Sequence, residues 1–194
     1  MLRQISYRLI AALLISFCTV SVAEEAGESL SSLKKFANST HLKPSEDILG
    51  MVGFYGNPDP PQWLILTNVA EKTGVLRESV FAKGKVVAER KFKVLPHQDL
   101  PRLPIPLKNL KVGSEDAFVV AEAAAVEKKT AFDSVHYQLR CREAGHEPVW
   151  MLSLINSSQV VVGVVYISAN SGEVLRESWP TVKTEKFAPR LTGS

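Results

Sequence analysis

Cysteine is scarce in this sequence, with two residues among 194. Cys18 lies in an apolar N-terminal stretch, so removal of that stretch would leave Cys141 alone and exclude an internal disulfide. The residues around Cys141 alternate as in a β-strand, which places Arg140 and Arg142 on the face opposite the thiol. We therefore expect Cys141 to be a small buried packing residue; the alternative is a reactive thiolate.

The sequence also lacks the motifs that carry common reactions. It contains no HExxH, GxSxG, GxGxxG or phosphate-binding loop, and its four histidines show neither helical pairing nor a zinc-type spacing with cysteine. Ser134 and His136 share one face of a predicted strand, but side chains two residues apart there are about 7 Å apart, a poor geometry for a nucleophile and its base. We predict a protein that is not an enzyme and has no catalytic residues, no cofactor and no metal site.

An excess of charge of one sign is absent as well. The chain has 23 basic and 20 acidic side chains, and loss of residues 1–23 would remove two arginines and no acid. An interspersed, nearly neutral surface creates no long-range field. Nucleic acid and anionic lipid are therefore not predicted partners.

Long apolar runs are limited to residues 9–20 (LIAALLISFCTV), which are too few to span a bilayer comfortably. Basic residues precede this run, and small residues follow it at Ser21 and Ala23. This pattern is typical of a cleaved signal peptide over residues 1–23, with Glu24 as the mature N-terminus. We expect a secreted or periplasmic protein, exported through a Sec-type signal, with no stable membrane insertion after cleavage.

Two alternatives to cleavage before Glu24 remain open. The apolar run could stay attached as an uncleaved anchor. Cys18 could instead be lipidated, although bulky Phe17 stands where a small residue is preferred.

The remaining sequence resembles itself at an offset of 87 to 88 residues. Residues 61–65 (PQWLI) fall on 148–152 (PVWML), and residues 48–55 fall on 135–142. The order and spacing of predicted elements repeat together, which indicates a duplication. Each copy is predicted to contain one helix followed by four antiparallel strands.

The predicted fold class is therefore α+β, with two tandem repeats that each pack one helix on a four-stranded antiparallel sheet. The predicted helices are 28–38 and 115–129, the latter with Ser114 as its N-cap. The predicted strands are 47–55, 62–68, 74–82 and 86–94 in the first copy, and 134–142, 149–156, 160–169 and 173–179 in the second. The predicted divisions are repeat 1 (24–94), a proline-rich linker (95–113), repeat 2 (114–182) and a C-terminal tail (183–194).

The second copy resembles a PepSY domain. Residues 167–175 (ISANSGEVL) look like the hairpin that closes that family's domain, and PVWMLSL followed by VGVVYIS fits its preceding strands. The first copy resembles the family only through the internal repeat. The resemblance implies a PepSY-type, cystatin-like fold and a bacterial envelope module that binds and restrains peptidases or other partners, and it implies no catalytic residues.

Trp63 and Trp150 occupy matching positions in the two copies. We expect each to face the helix of its own repeat as a core anchor, in separate sub-cores; exposed ligand platforms are the alternative. Tyr55, Arg142 and His146 are candidates for contact with a partner.

The predicted function is an exported, non-enzymatic protein-binding module that presents a sheet surface to a protein partner. An envelope peptidase is the specific version of that partner. The alternative is a periplasmic small-ligand carrier with a cleft between helix and sheet.

Overall fold

The computed structural model describes residues 28–70, 72–142 and 146–180. Its helices are α1 (Glu28–Ala37) and α2 (Ser114–Glu127), with a short 3-10 turn at Leu107–Asn109. Its strands are β1 (Ile48–Gly56), β2 (Trp63–Asn68), β3 (Val75–Ala82), β4 (Lys85–Lys93), β5 (Ser134–Cys141), β6 (Pro148–Ile155), β7 (Val161–Ser168) and β8 (Val174–Ser178). Each helix and strand boundary lies within about two residues of its prediction, because alternation and turn residues define them locally.

All eight strands belong to one antiparallel sheet, in the order β4-β3-β2-β1-β5-β6-β7-β8. The prediction of two repeats, each with its own four-stranded sheet, is therefore wrong. The join is the pairing of β1 with β5, in which Met51 lies opposite Leu139 and Gly53 opposite Tyr137. Two separate sheets would have left these apolar strands with unpaired backbone edges, and their pairing satisfies both.

Both helices lie on the same face of the sheet. Phe36 of α1 packs edge-on against Phe81 of β3, with ring centroids 6.2 Å apart. Ala117 and Ala121 of α2 are fully buried, and α2 packs on β6 and β7. Small side chains on this face of α2 let the helix approach the sheet closely, so one core runs beneath both helices.

An aromatic cluster joins the two halves of that core. Trp63 and Trp150 are 3% and 0% exposed, and Tyr137 lies 5.8 Å from the first ring and 6.2 Å from the second, between centroids. The indole Nε1 of Trp150 donates a hydrogen bond to the carbonyl of Val112 at 2.9 Å. Both tryptophans are core residues, as predicted, but the expectation of separate sub-cores is wrong because their own rings are 6.2 Å apart.

The N-terminus of α2 is tied to the rest of the core. Gly113, not Ser114, is the N-cap, and its N–H donates to the Asp116 carboxylate at 3.0 Å. Ser114 is the first helical residue: its N–H donates to the Ser29 hydroxyl and its own hydroxyl donates to Asp59, both at 2.7 Å. The prediction of Ser114 as the N-cap is therefore wrong by one residue, because Ser114 uses its hydroxyl to bind Asp59 of the β1–β2 loop.

The proline-rich linker packs on the sheet. Ile105 is 5% exposed, and its N–H donates to the carbonyl of Ile48 at 2.8 Å. A Cβ on Gly50 would lie 3.0 Å from Cγ of Pro101, so the glycine allows the linker to cross β1 closely. The linker therefore covers one end of the sheet face that the helices leave open.

Two predicted segments, the signal peptide (1–23) and the C-terminal tail (183–194), lie outside the described residues. In the part of the chain that is described, no helix has the length and apolar character needed to cross a membrane.

Candidate functional site

The sheet face opposite the helices carries a surface of half-buried apolar side chains, here called the open face. Strand register defines it: Val52 lies opposite Leu64 and Gln138, one position along from Met51, which points to the helices. The same row continues through Met151 and Tyr166. The helices cover the other side of the sheet and the linker covers one end of this side, so most of this second apolar face has no covering layer in the described chain.

The first half of the open face forms a shallow apolar groove with a cavity of about 240 Å³. Phe54, which is 44% exposed, lies in this groove. The other apolar lining residues come from four strands and the linker: Val52, Leu64, Leu66, Phe92, Leu139, Leu100 and Pro101. Exposed apolar area gathered in this way is typical of an interaction surface rather than of scattered surface residues.

The second half of the open face forms a basic hollow, here called the arginine pocket. It has a cavity of about 240 Å³, lined by Arg140, Arg142, Val149, Met151, Tyr166 and Arg176. Val149 is buried and forms part of an apolar floor. Arg140 lies near the end of β5 and Arg142 directly follows that strand, whereas Arg176 comes from β8, so the sheet order brings the three cations together.

Two acidic residues lie near the arginine pocket, and the carboxylate of one of them, Asp99, pairs with an arginine. Asp99 of the linker pairs with Arg140, with Oδ2 3.2 Å from Nη1. Glu147 uses its Oε1 to accept a hydrogen bond from the Ser168 hydroxyl at 2.6 Å. Among the residues that the structure describes, neither Arg142 nor Arg176 forms an ion pair, so the pocket keeps a net positive charge.

Arg102 extends the positive charge along the linker. It lines a neighbouring cavity of about 450 Å³ together with Asp99, Arg140 and Arg142. The arginine pocket therefore adjoins a larger basic cavity at the boundary between linker and sheet, and the two share Arg140 and Arg142.

The three predicted contact residues do not form one site. Tyr55 is 56% exposed at the end of β1, where its ring packs edge-on against His136, with centroids 4.6 Å apart. Arg142 follows His136 by six residues along β5, a separation of about 20 Å at the usual strand rise. His146 is exposed in the turn after Arg142 and does not line the arginine pocket. Of the three, Arg142 alone contributes to this pocket.

Several residues of the arginine pocket are not among the contact residues that the sequence predicts. Arg140 could have been found, since it shares a strand face with Arg142. The other pocket residues could not be found from the sequence, because the order of strands in the sheet places them beside Arg140. These residues are Met151, Tyr166 and Arg176.

Cys141 lies on the helix side of β5, away from the arginines. It is 8% exposed, and its thiol donates to the carbonyl of His146 at 3.3 Å. Burial raises the pKa of the Cys141 thiol, which disfavours the nucleophilic thiolate. The prediction of a buried packing residue is confirmed.

His136 lies at the aromatic end of the open face. Phe54 packs edge-on against it at 5.1 Å between centroids, opposite the contact from Tyr55. Burial lowers the pKa of His136, so the imidazole is neutral at physiological pH. Within the described residues, no group of three potential ligands is arranged to hold a metal ion.

No family model matches the chain, and no curated protein matches it. The resemblance to PepSY domains therefore stays a prediction from the residues quoted above. Among solved structures, the chain is similar to the crystal structure of a candidate lipoprotein from Clostridium difficile 630, with a TM-score of 0.49 and 12% sequence identity. That similarity covers 77% of this chain and 90% of the other.

Proposed function

We propose that this chain is an exported binding protein, with no catalytic role, whose open face docks onto a protein partner. The observation that carries the proposal is the apolar groove on the sheet face opposite both helices, with Phe54 44% exposed within it. Export is supported by the signal-peptide pattern of residues 1–23.

The shape of the open face favours a macromolecular partner over a small ligand. The groove and the arginine pocket are two shallow hollows of about 240 Å³ each on one broad sheet. Small-ligand sites usually enclose most of the ligand in a single deep cavity. The alternative of a carrier with a cleft between helix and sheet is disfavoured, since Phe36, Ala117 and Ala121 fill that layer and are fully buried.

The partner chemistry follows from the two ends of the open face. Apolar side chains of the partner would cover Val52, Leu64 and Leu66, where burial of apolar area supplies the driving force. Charged or polar side chains would meet the arginines at the far end. An envelope peptidase is the specific version of this partner, supported by the resemblance to PepSY domains.

A test uses residues 24–194 as bait for envelope proteins, followed by purification of each captured protein and direct calorimetry. Leu66→Glu places a charge in the apolar groove and should weaken binding at least ~10-fold, because the carboxylate would be desolvated. Val119→Glu is the matched control, since Val119 is 62% exposed on α2, away from the open face.

The proposal requires that Val119→Glu binds like the unchanged protein and that both variants give the same circular dichroism spectrum. Equal affinity of the Leu66→Glu and Val119→Glu variants for the purified partner would overturn the open face as the docking surface.

A further inference from the structure

We infer that the arginine pocket holds an acidic side chain of the partner polypeptide, whose neighbouring apolar side chain rests on Val149, Met151 and Tyr166. This inference rests on the proposed function, because it takes the open face as the docking surface.

The pocket has the composition of a carboxylate anchor. Three arginines line one hollow, although they come from two separate parts of the chain: Arg140 and Arg142 at the end of β5 and just after it, and Arg176 in β8. Guanidinium groups bind carboxylates through paired N–H donors, and such charge-assisted hydrogen bonds are about twice as strong as neutral ones. The described chain supplies no ion-pair partner for Arg142 or Arg176, so two of the three guanidinium groups are available to a ligand.

One arginine of the pocket already binds a carboxylate, that of Asp99. Its Oδ2 lies 3.2 Å from Nη1 of Arg140, while its side chain is 90% exposed. An ion pair this exposed contributes little to stability, because water screens it. A carboxylate from a partner can therefore displace Asp99 from Arg140 at small cost and gain the two other arginines.

The aromatic floor orients one of the guanidinium groups. Arg176 lies over the ring of Tyr166 in a cation–π contact, with its Cζ 5.6 Å from the ring centroid. A cation–π contact uses none of the hydrogen-bond donors of the guanidinium group, so these remain for a ligand. Tyr166 and Met151 are both half-buried and form an apolar surface directly beside these donors.

An acidic polypeptide suits this site better than an anionic membrane. Attraction to a membrane surface needs a cluster of cations with little opposing charge. Here the carboxylate of Asp99 pairs with Arg140 and reduces the field at long range. At contact distance, the arginine pocket adjoins the apolar groove, since Met151 of the pocket lies opposite Gln138 of the groove. An extended peptide that carries acidic and apolar side chains at every second position would present both to the open face.

The test uses a fluorescent peptide that carries glutamate, leucine and phenylalanine at every second position with serine between them, so that these side chains share one face of an extended chain. The matched peptide has glutamine in place of each glutamate. Residues 24–194 should bind the glutamate peptide at least ~10-fold more tightly in dilute buffer, measured by fluorescence anisotropy. The difference should shrink as salt is added, because the anchor is partly exposed.

Further variants test whether the arginine pocket causes the preference for the glutamate peptide over the glutamine peptide. The double substitution Arg142→Gln and Arg176→Gln should abolish it, whereas Lys91→Gln, which removes an exposed positive charge from β4, should leave it unchanged. Asp99→Asn removes the resident carboxylate and should tighten binding of the glutamate peptide by ~3-fold; unchanged or weaker binding would contradict displacement of Asp99.

The failures of the inference and of the proposed function are distinguishable. If both peptides bind equally and Leu66→Glu weakens both, the acidic anchor is wrong and the open face remains the docking surface. If neither peptide binds, the acidic anchor is also wrong. The proposed function is then tested separately, by comparing the affinities of the Leu66→Glu variant and the unchanged protein for the captured partner. Binding to phosphatidylglycerol vesicles that the double arginine variant loses, without binding of the glutamate peptide, would assign the pocket to lipid and overturn the inference.

Discussion

The indole rings of Trp63 and Trp150 contact each other across the middle of the sheet, with centroids 6.2 Å apart, although they belong to opposite halves of the chain. Tyr137 packs edge-on against both rings. The three side chains therefore form one aromatic unit beneath the helices, and their contributions to stability are not independent.

The first prediction is a coupling between these two tryptophans. Trp63→Phe and Trp150→Phe should each destabilise the protein, and the double variant should deviate from additivity by at least ~0.5 kcal/mol in urea unfolding. The control cycle pairs Trp63 with Trp179, which packs elsewhere, on Gly163. That cycle should be additive within ~0.5 kcal/mol; additivity in the first cycle would show that the ring contact carries no energy.

A second prediction concerns the buried ion pair of Glu46 and Arg77, which are 5% and 6% exposed. Burial opposes ionisation of Glu46, but hydrogen bonds from the Lys43 N–H and the Arg77 guanidinium outweigh it, so the pKa of Glu46 is lowered. Glu46→Gln should cost about 1–3 kcal/mol at neutral pH, because buried Arg77 loses its nearer counter-charge and keeps the more distant Glu89, whose Oε1 lies 3.9 Å from Nε.

The same ion pair should make the stability of the protein depend on pH in the acidic range. Since the folded-state pKa of Glu46 is lowered, its contribution is complete above the unfolded value of about 4.3 and is lost as pH falls through the folded value. Urea unfolding between neutral and strongly acidic pH would show a smaller loss in Glu46→Gln than in the unchanged protein. The control is Glu78→Gln, which removes a carboxylate from a more exposed ion pair with Arg90 and should destabilise the protein less at neutral pH. Equal losses of stability in the Glu46→Gln and Glu78→Gln variants would argue against a special role of burial.

A third prediction concerns His136. Because burial lowers the pKa of His136, the unfolded chain takes up a proton at higher pH than the folded protein. Stability should therefore fall as pH decreases from about 6.5, the unfolded value. His136→Gln should remove this part of the pH dependence, and a histidine titration followed by NMR should place the folded pKa of His136 below the unfolded value of about 6.5. A folded pKa of His136 above that value would refute the burial argument.

A fourth prediction concerns the close approach of Gly163 and Trp179. A Cβ at Gly163 would collide with the indole ring, so Gly163→Ala should cost about 1–3 kcal/mol through overpacking. In a Trp179→Ala background the same substitution should cost much less, since the ring is gone. A similar cost in both backgrounds would indicate that the loss arises from the backbone of β7 instead.

A fifth prediction uses Cys141 as a probe of burial. A thiol reagent should label native residues 24–194 far more slowly than the denatured chain, because the thiol is both buried and held in its neutral form. The Cys141→Ala variant has no thiol in residues 24–194, so it measures background labelling, and it should bind the partner like the unchanged protein. Labelling of the native protein at the denatured rate would contradict the packing of Cys141.

The strand boundaries could be predicted from sequence, whereas the arrangement of strands could not. Alternation shows which side chains share a face, but not which strands are neighbours. A signal was nevertheless present: β1 carries no charged residue, while β4 carries four basic residues and one acidic residue. An uncharged strand suits the centre of a sheet and a lysine-rich strand suits its edge, which are the positions they occupy.

The candidate site was accessible to sequence reasoning only in part. Arg142 was identified as a contact residue and does line the arginine pocket. Tyr55 was identified with it, but lies at the far end of β5 because β1 and β5 run antiparallel. The groove was not predicted, since an apolar face with no covering layer becomes evident only when both helices are seen on the same side of one sheet.

The ladder between β1 and β5 also makes the molecule divisible. A break in the exposed stretch at residues 95–97 would yield two polypeptides, each with one helix and four strands, and each with an apolar central strand left unpaired. The same backbone hydrogen bonds and the same tryptophan contact would draw the two pieces back together. This ladder is therefore a seam along which the protein can be cut and reassembled, and fusing each piece to a different protein would turn reassembly into a sensor of their proximity.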